Sequence, residues 1–418
     1  MPINQETKEY YTNVLTNEKF YEYMLEKYNW AEQYIFYYMY EIGYKRDNLE
    51  RLLQTIKECD RTAFSKKLAY NYIEEFEKTR LNIGIIIPTC NRAETIDYLL
   101  SIAAPLYRRF GINVIIYDSS NNEETKIIVE KFNKNGYYNV IYSQYKGKYD
   151  GFSLDHKLIA AYKEYVNMYD YIWICRDGLI PVIDEIIEML RYYARKKIGC
   201  IIVDTKSRVD NVEILKYYSN KEDCEELLLD QASRLQTLGM LIFSKEIIQK
   251  LLSREPLREE NYSLWQMVAP LHLFAKEPYG IVFLTRNVFA FNIKASSTHF
   301  WGKAENAIQQ WGYRWCNVLD YLPNEYAGVK DKVKLLYTVD FHPFTIGTII
   351  RMRGWGGLKC KMVKDNAYYL KQVTKTSIKW FYVISVLPCG LARIISHGLS
   401  IIGDSNRVRL KKILKLNN

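Results

Sequence analysis

Zinc-type spacing is missing from this chain. None of its eight cysteines forms a CxxC pair, which excludes the common structural zinc modules. The cysteines are scattered, and a reduced, cytosolic compartment is the expectation. Cys90, Cys175 and Cys200 fall in or beside apolar runs that read as buried strands, where free cysteine acts as a small hydrophobe. The opening Met1-Pro2-Ile3-Asn4-Gln5-Glu6 lacks the basic and apolar regions of a signal peptide. Acidic residues are scarce toward the other end. From Arg351 onward fourteen Lys and Arg face only Asp365 and Asp404, a net +12. The whole chain carries +10, so the remainder stands near −2 and the basicity belongs to one end. An unbroken apolar run of the ~20 residues that span a bilayer is also missing. The segment from Trp380 to Ile402 approaches that length but carries Pro388, Arg393 and His397.

What is present fits a globular protein of two or three units, since 418 residues exceed one ordinary domain. The abundance of Tyr, with many Ile, Lys and Asn, is consistent with an AT-rich bacterial coding style. Residues 6–79 read as helices: Leu25, Tyr28, Ala31 and Ile35 keep a three-to-four spacing, as do Leu49, Leu52, Leu53 and Ile56. Tyrosines at such spacing are core or interface residues with a polar tip, and a helical appendage or self-association surface is expected there.

The centre of the chain is Ile83-Gly84-Ile85-Ile86-Ile87-Pro88-Thr89-Cys90-Asn91-Arg92. Its β-branched run has no helical period and reads as a strand buried on both faces. A helical pattern from Glu94 to Leu100 follows. Ligands of open α/β sheets bind beyond the carboxyl ends of strands, which makes Thr89, Asn91 and Arg92 candidate site residues. A second strand, Val114 to Tyr117, ends in Asp118-Ser119-Ser120, and a third, Tyr171 to Cys175, ends in Arg176-Asp177-Gly178. Asp118 has two readings: a ligand contact, or an Asx cap within the turn chemistry of Ser119-Ser120-Asn121-Asn122. The basic loop from Tyr145 to Ser153 leads into a helix from Leu154 to about Val166. Near its start His156 and Lys157 either face an anionic phosphate or are solvated surface groups.

These strand tips resemble the family 2 glycosyltransferases of the GT-A fold. The resemblance spans roughly residues 81 to 300 and rests on Pro88-Thr89-Cys90-Asn91-Arg92, Asp118 and Arg176-Asp177-Gly178. It implies an α/β fold, a GT-A (Rossmann-like) mixed sheet with helices on both faces, flanked by N-terminal helical and C-terminal amphipathic segments. It further implies a nucleotide-sugar donor, with a UDP-sugar expected, held by Pro88, Thr89, Asn91, Arg92, Asp118, His156, Lys157, Arg176 and Asp177. In that family a DxD motif grips a divalent metal, Mn or Mg, which offsets the charge of the leaving diphosphate. Here Cys175-Arg176-Asp177 keeps only the last carboxylate, leaving two alternatives. Asp177 binds metal with a second ligand, for which His299 is the candidate, or cations such as Arg176 take over the charge. An inverting transfer needs a base for the acceptor hydroxyl, and Glu260 and Glu259 stand where the family places its catalytic carboxylate.

The expected divisions are residues 1–80, 81–300, 301–365 (an aromatic-rich lid on the acceptor side) and 366–418. The last combines aliphatics with cations, including Arg407-Val408-Arg409-Leu410-Lys411-Lys412. That pattern suits the cytoplasmic face of an anionic membrane rather than nucleic acid. The expected activity is sugar transfer to a lipid-linked or polymeric glycan. The rival reading is a non-catalytic GT-A-like subunit that positions a partner transferase, a reading the incomplete DxD supports.

Overall fold

In the computed structural model, residues 81–109, 111–147, 153–183, 198–204, 215–254, 264–285, 288–295, 304–341 and 344–398 are described, with isolated positions between 190 and 196. The helices read over 6–79, the carboxylates Glu259 and Glu260, His299 and the basic end from 399 lie outside them.

The Ile-rich run forms β1 (Ile83–Thr89), and every residue in it except Pro88 is buried. Ile85 and Ile87 pack into one core cluster and Ile86 into a second. This is the two-faced burial that an unbroken apolar strand requires. β1 pairs in parallel with β2 (Asn113–Asp118), and β2 pairs with β3 (Val140–Gln144). On its other side β1 pairs in parallel with β4 (Tyr171–Ile174). That ladder is last registered at Ile86 and Ile174, so the missing N–H of Pro88 falls beyond it. The sheet continues through β8, β6, β9 and β7, giving the eight-strand order β3-β2-β1-β4-β8-β6-β9-β7. Here β6 is Cys200–Asp204, β7 Leu215–Tyr218, β8 Leu241–Ser244 and β9 Ile281–Thr285. β8 runs antiparallel to both β4 and β6, so the sheet is mixed.

Helices cover both faces, as expected of a GT-A-type α/β sheet. α1 (Ala93–Arg109) and α2 (Glu124–Lys134) bury Ile96, Leu99, Leu100 and Val129 against one face. α3 (Ser153–Tyr165) buries Leu158, Ala161 and Tyr162 against the other. On that second face α4 (Cys224–Leu235), α5 (Lys245–Ser253) and α6 (Trp265–Lys276) extend the same cluster. The helices beyond Ala304 join it as well, through Trp315, Leu319, Ile349, Val363, Leu370 and Phe381. The change of face between α2 and α3 accompanies the reversal of strand order at β1. A crevice therefore opens at the carboxyl ends of β1 and β4.

The structure corrects one expectation, the burial of Cys90, and adds a strand pair that was not read from the sequence. Leu179-Ile180-Pro181 is β5, antiparallel to β10 (Phe289–Phe291) in a small second sheet. Periodicity cannot distinguish a strand from a helix in so short an apolar run, and the partner strand is remote in sequence. Cys90 is exposed, whereas Cys175 and Cys200 are buried as expected.

At the far end α12 (Ile378–Val386) and α13 (Cys389–Gly398) meet at a 118° bend. They follow α7 (Trp315–Tyr321), α8 (Lys330–Phe341), α9 (Ile346–Gly354), α10 (Cys360–Asp365) and α11 (Ala367–Val373). Among the described residues no single helix is long and apolar enough to cross a membrane, although this bent pair passes on length and composition together. Phe381, Ile384 and Ala392 face the core, while Trp380, Val383, Val386, Leu391 and Ile394 are exposed. The arginine that interrupts the apolar run has a place in the fold: Arg393 Nε donates to the Gly354 carbonyl at the end of α9 (2.7 Å).

Gly84 allows β1 to pass beneath the Tyr169 ring, and a Cβ at this position would lie 2.6 Å from a ring carbon. Gly84→Ala is expected to lower unfolding free energy by about 1–3 kcal/mol, the usual cost of overpacking. Denaturant titration checks this, and adding Tyr169→Ala should cost less in the Gly84→Ala background than in the native chain.

Candidate functional site

The crevice is closed across its floor by one carboxylate. Asp177, three residues past the end of β4, is buried, and its Oδ2 accepts the Thr89 hydroxyl at the tip of β1 (3.1 Å). Its Oδ1 accepts Arg92 Nη1 at 2.7 Å, an ion pair in which Arg92 is 28% exposed and Asp177 7%. The Asp177 carbonyl accepts Asn292 Nδ2 (3.0 Å), and the same amide donates to the Thr95 carbonyl in the first turn of α1 (2.8 Å). Asp177 thus ties together the ends of β1 and β4, the start of α1 and the segment after β10. Burial raises the Asp177 carboxyl above its ordinary value, against the opposing effects of Arg92, Thr89, Lys157 and Arg176.

The loop after β1 turns at Asn91, whose φ of 51° lies in the left-handed region that Asn tolerates better than most residues. Its backbone N–H donates to Ser120 Oγ (2.7 Å), joining this loop to the tip of β2. Asp118 at that tip is fully buried. Its Oδ1 accepts both the Ser120 N–H (2.9 Å) and the Ser120 hydroxyl (2.5 Å), and its Oδ2 accepts the Tyr142 hydroxyl (3.3 Å). Of the two readings of Asp118, this geometry is that of the cap: the carboxylate shapes the loop from within.

Lys157 is not a solvated surface lysine. It is 6% exposed and rises from α3, with Nζ donating to the Thr89 carbonyl (2.6 Å) and to Ser119 Oγ (2.8 Å). Ser119 in turn donates its backbone N–H to Thr89 O (3.0 Å). A buried ammonium therefore holds the tips of β1 and β2 together from below. Burial lowers its pKa to about 8, against the opposing influence of Asp118, Cys90 and Asp177. His156 is partly buried on the same turn. Asp155, one residue earlier, accepts the Trp265 N–H at the start of α6 (2.9 Å), and burial raises its carboxyl to about 7. The start of α3 thus joins the strand tips to the helix that follows residues 255–263.

Thr89, Arg92, Asp177 and Lys157 are brought together as the sequence implied, Arg176 stands exposed beside Asp177, and Pro88 and Asn91 border the group. Ser119, Ser120, Tyr142 and Asn292 were not singled out from sequence. The serines follow Asp118 directly and carry the Asx signal, whereas Asn292 has no local signature because its partners are 115 and 197 residues away.

A divalent metal finds few donors here. Both Asp177 oxygens already accept protein donors, and among the described residues no group of three or more His, Cys, Asp or Glu comes together. Cys175, in the place of the first DxD carboxylate, is buried, and burial pushes its thiol well above the ordinary range. The described residues do not fit such an ion.

No family model and no curated protein matches the chain. Among solved structures, the chain is similar to mannosyltransferase PcManGT from Pyrobaculum calidifontis in complex with GDP-Man and Mn2+. That likeness has 12% identity and a TM-score of 0.42 over 78% of this chain and 88% of that one. S. aureus TarS 1-349 in complex with UDP gives 12% identity and a TM-score of 0.42, over 73% and 90%. Glucosyl-3-phosphoglycerate synthase from Mycobacterium tuberculosis, with Mn2+, UDP and glucosyl-3-phosphoglycerate, gives 13% and 0.32 over 51% and 73%. Likeness at this level assigns neither an activity nor a substrate to this chain.

Lys157 makes stability depend on pH. Between about 8 and the ordinary 10.5, the folded chain has released a proton that the unfolded chain still holds. The contribution of Lys157 to stability therefore rises with pH across that window and is least favourable below it. Denaturation midpoints of the native chain and Lys157→Met, compared from pH 7 to 10, should shift progressively in favour of the native chain.

Proposed function

We propose that the chain is a glycosyltransferase whose nucleotide-diphosphate donor, a UDP-sugar in the first instance, binds at the crevice between β1 and β4. The observation that carries this reading is the Thr89–Asp177–Arg92 bridge across the point where strand order reverses, with Lys157 beneath it and Arg176 beside it. Sheets of this type bind ligands at that crevice, and Arg92 and Arg176 beside Asp177 suit a phosphorylated anion. The sugar-transfer chemistry comes from the resemblance of these tips to the family 2 glycosyltransferases.

In this mechanism Arg92 and Arg176 meet the diphosphate and stabilise the charge that develops on it as the sugar C1–oxygen bond breaks. Lys157 and Asp118 hold the tips in place and do not themselves touch the donor. The acceptor hydroxyl attacks C1 from the opposite face and gives its proton to a carboxylate, assigned here to Glu260 or Glu259, which precede α6 in the sequence, so the configuration inverts. The acceptor is a lipid-linked or polymeric glycan at the cytoplasmic face of the membrane. The exposed apolar residues of α12 and α13 support a membrane position, as does the +12 net charge from Arg351 onward. The non-catalytic alternative draws on Cys175 standing in place of a DxD carboxylate, and it requires nucleotide affinity without turnover. Self-association through residues 6–79 is proposed as well, and light scattering at micromolar concentration would show it.

Thermal denaturation with a panel of nucleoside diphosphates tests the donor site. A ligand at a hundred times its dissociation constant should stabilise by about 2.7 kcal/mol, and Asp177→Ala should remove most of that gain. With a donor identified, Glu260→Gln or Glu259→Gln is expected to lower kcat by roughly 10²–10⁴-fold, and the product anomer seen by NMR should be inverted.

The membrane surface is tested separately. Trp380→Ser with Ile394→Ser is expected to weaken co-sedimentation with anionic phospholipid vesicles by roughly tenfold or more, given the apolar area the two side chains expose. Added salt should weaken native binding further, and unchanged binding in the double variant would argue against this edge.

A further inference from the structure

Resting on the donor-site reading above, we infer that this crevice holds a diphosphate without a divalent cation, on the Arg92 guanidinium that Asp177 keeps in position. Hard divalent ions take six or more ligands, and Mg²⁺ in phosphate sites is normally held by one or two carboxylates plus the phosphate oxygens. Here the run that would supply them reads buried cysteine, exposed cation, buried carboxylate: Cys175, Arg176, Asp177. Both oxygens of the one carboxylate are engaged, Oδ1 by Arg92 and Oδ2 by Thr89. A metal at Oδ1 would have to displace a guanidinium at 2.7 Å and leave it, partly buried, beside a doubly charged ion.

The local field points the same way. Arg92, Lys157 and Arg176 all act on Asp177 as positive charges. The nearby Asp118 is turned inward, where Ser120 and Tyr142 take its oxygens. Among the described residues, Arg92 and Arg176, with Lys157 buried beneath them, outweigh the buried Asp177 carboxylate, and such a field attracts an anion and repels a second cation. A guanidinium presents its N–H donors in a fixed plane, a geometry that matches phosphate oxygens, and the Asp177 ion pair sets the orientation of that plane. Asp177 is thus a positioning residue: it orients the cation that meets the phosphate, where the DxD pattern would have it bind the metal. Asn292 fixes the Asp177 backbone from the other side.

The test uses the full chain. UDP and GDP are titrated calorimetrically in EDTA and again in Mn²⁺ or Mg²⁺, and Mn²⁺ alone is titrated with the free-ion EPR signal as readout. The inference expects a nucleotide to bind in EDTA within about twofold of its affinity with metal, and the Mn²⁺ signal to be unchanged by the protein. It expects Arg92→Lys to weaken nucleotide binding in EDTA roughly tenfold and Arg92→Ala roughly ten- to a hundredfold, as loss of charge-assisted hydrogen bonds implies. The lysine variant, checked by circular dichroism, carries the comparison if the alanine variant fails to fold. Nucleotide binding that appears only with metal, or stoichiometric micromolar binding of Mn²⁺ alone, would overturn the inference while leaving the donor site standing. Absence of binding by either nucleotide in every buffer would overturn the donor-site reading, and the inference with it.

Discussion

The carboxyl edge of this sheet depends on a buried carboxylate having donors on all sides. Asp177 would be costly to bury alone, since an unpaired charge away from water shifts its equilibrium toward the neutral acid. Thr89, Arg92 and the nearby cations Lys157 and Arg176 offset that cost, and in doing so they bring parts of the chain 85 to 88 residues apart into one crevice. The arrangement is reciprocal. The ends of β1 and β4 position Asp177, and Asp177 in turn holds the loop after β1 and its arginine. A similar logic operates one strand over, where the buried Asp118 organises Ser120, and Ser120 holds Asn91.

The two buried carboxylates have separate tasks. Asp118 is fully enclosed and acts as an internal cap, whereas Asp177 has a partner, Arg92, that reaches partly into solvent. Lys157 reinforces both from beneath without facing the crevice as a free charge. The acidic counterpart on the same turn, Asp155, anchors the start of α6. The first turn of α3 therefore acts as a strut between the strand tips and the start of α6. Its charged groups are spent on backbone and hydroxyl partners.

β1, β2 and β4 were legible because β-branched or aromatic-rich apolar runs ending in polar residues leave little else to choose, whereas β3 was not singled out. The tips were legible because Pro88-Thr89-Cys90-Asn91-Arg92 and Arg176-Asp177-Gly178 are local patterns. What could not be read depends on remote partners. β5 was not read as a strand because its pairing with β10 joins residues more than a hundred positions apart. Asn292 carries no pattern of its own and matters only through what it meets. The burial of Lys157 was likewise beyond sequence, since it depends on how closely α3 approaches the sheet.

The junction of α12 and α13 has a mechanical side. Arg393 bonds the Gly354 carbonyl, and Arg353 bonds the carbonyls of Leu387 (2.6 Å) and Leu358 (3.0 Å), so two guanidinium groups rivet the bend to the end of α9. α9 is itself seated in the core through Ile349 and Met352. An apolar edge mounted in this way keeps a constant height relative to the sheet. If that edge rests on lipid, the crevice stands off the bilayer by a set distance, and the fold works as a ruler for how far an acceptor's tip must extend.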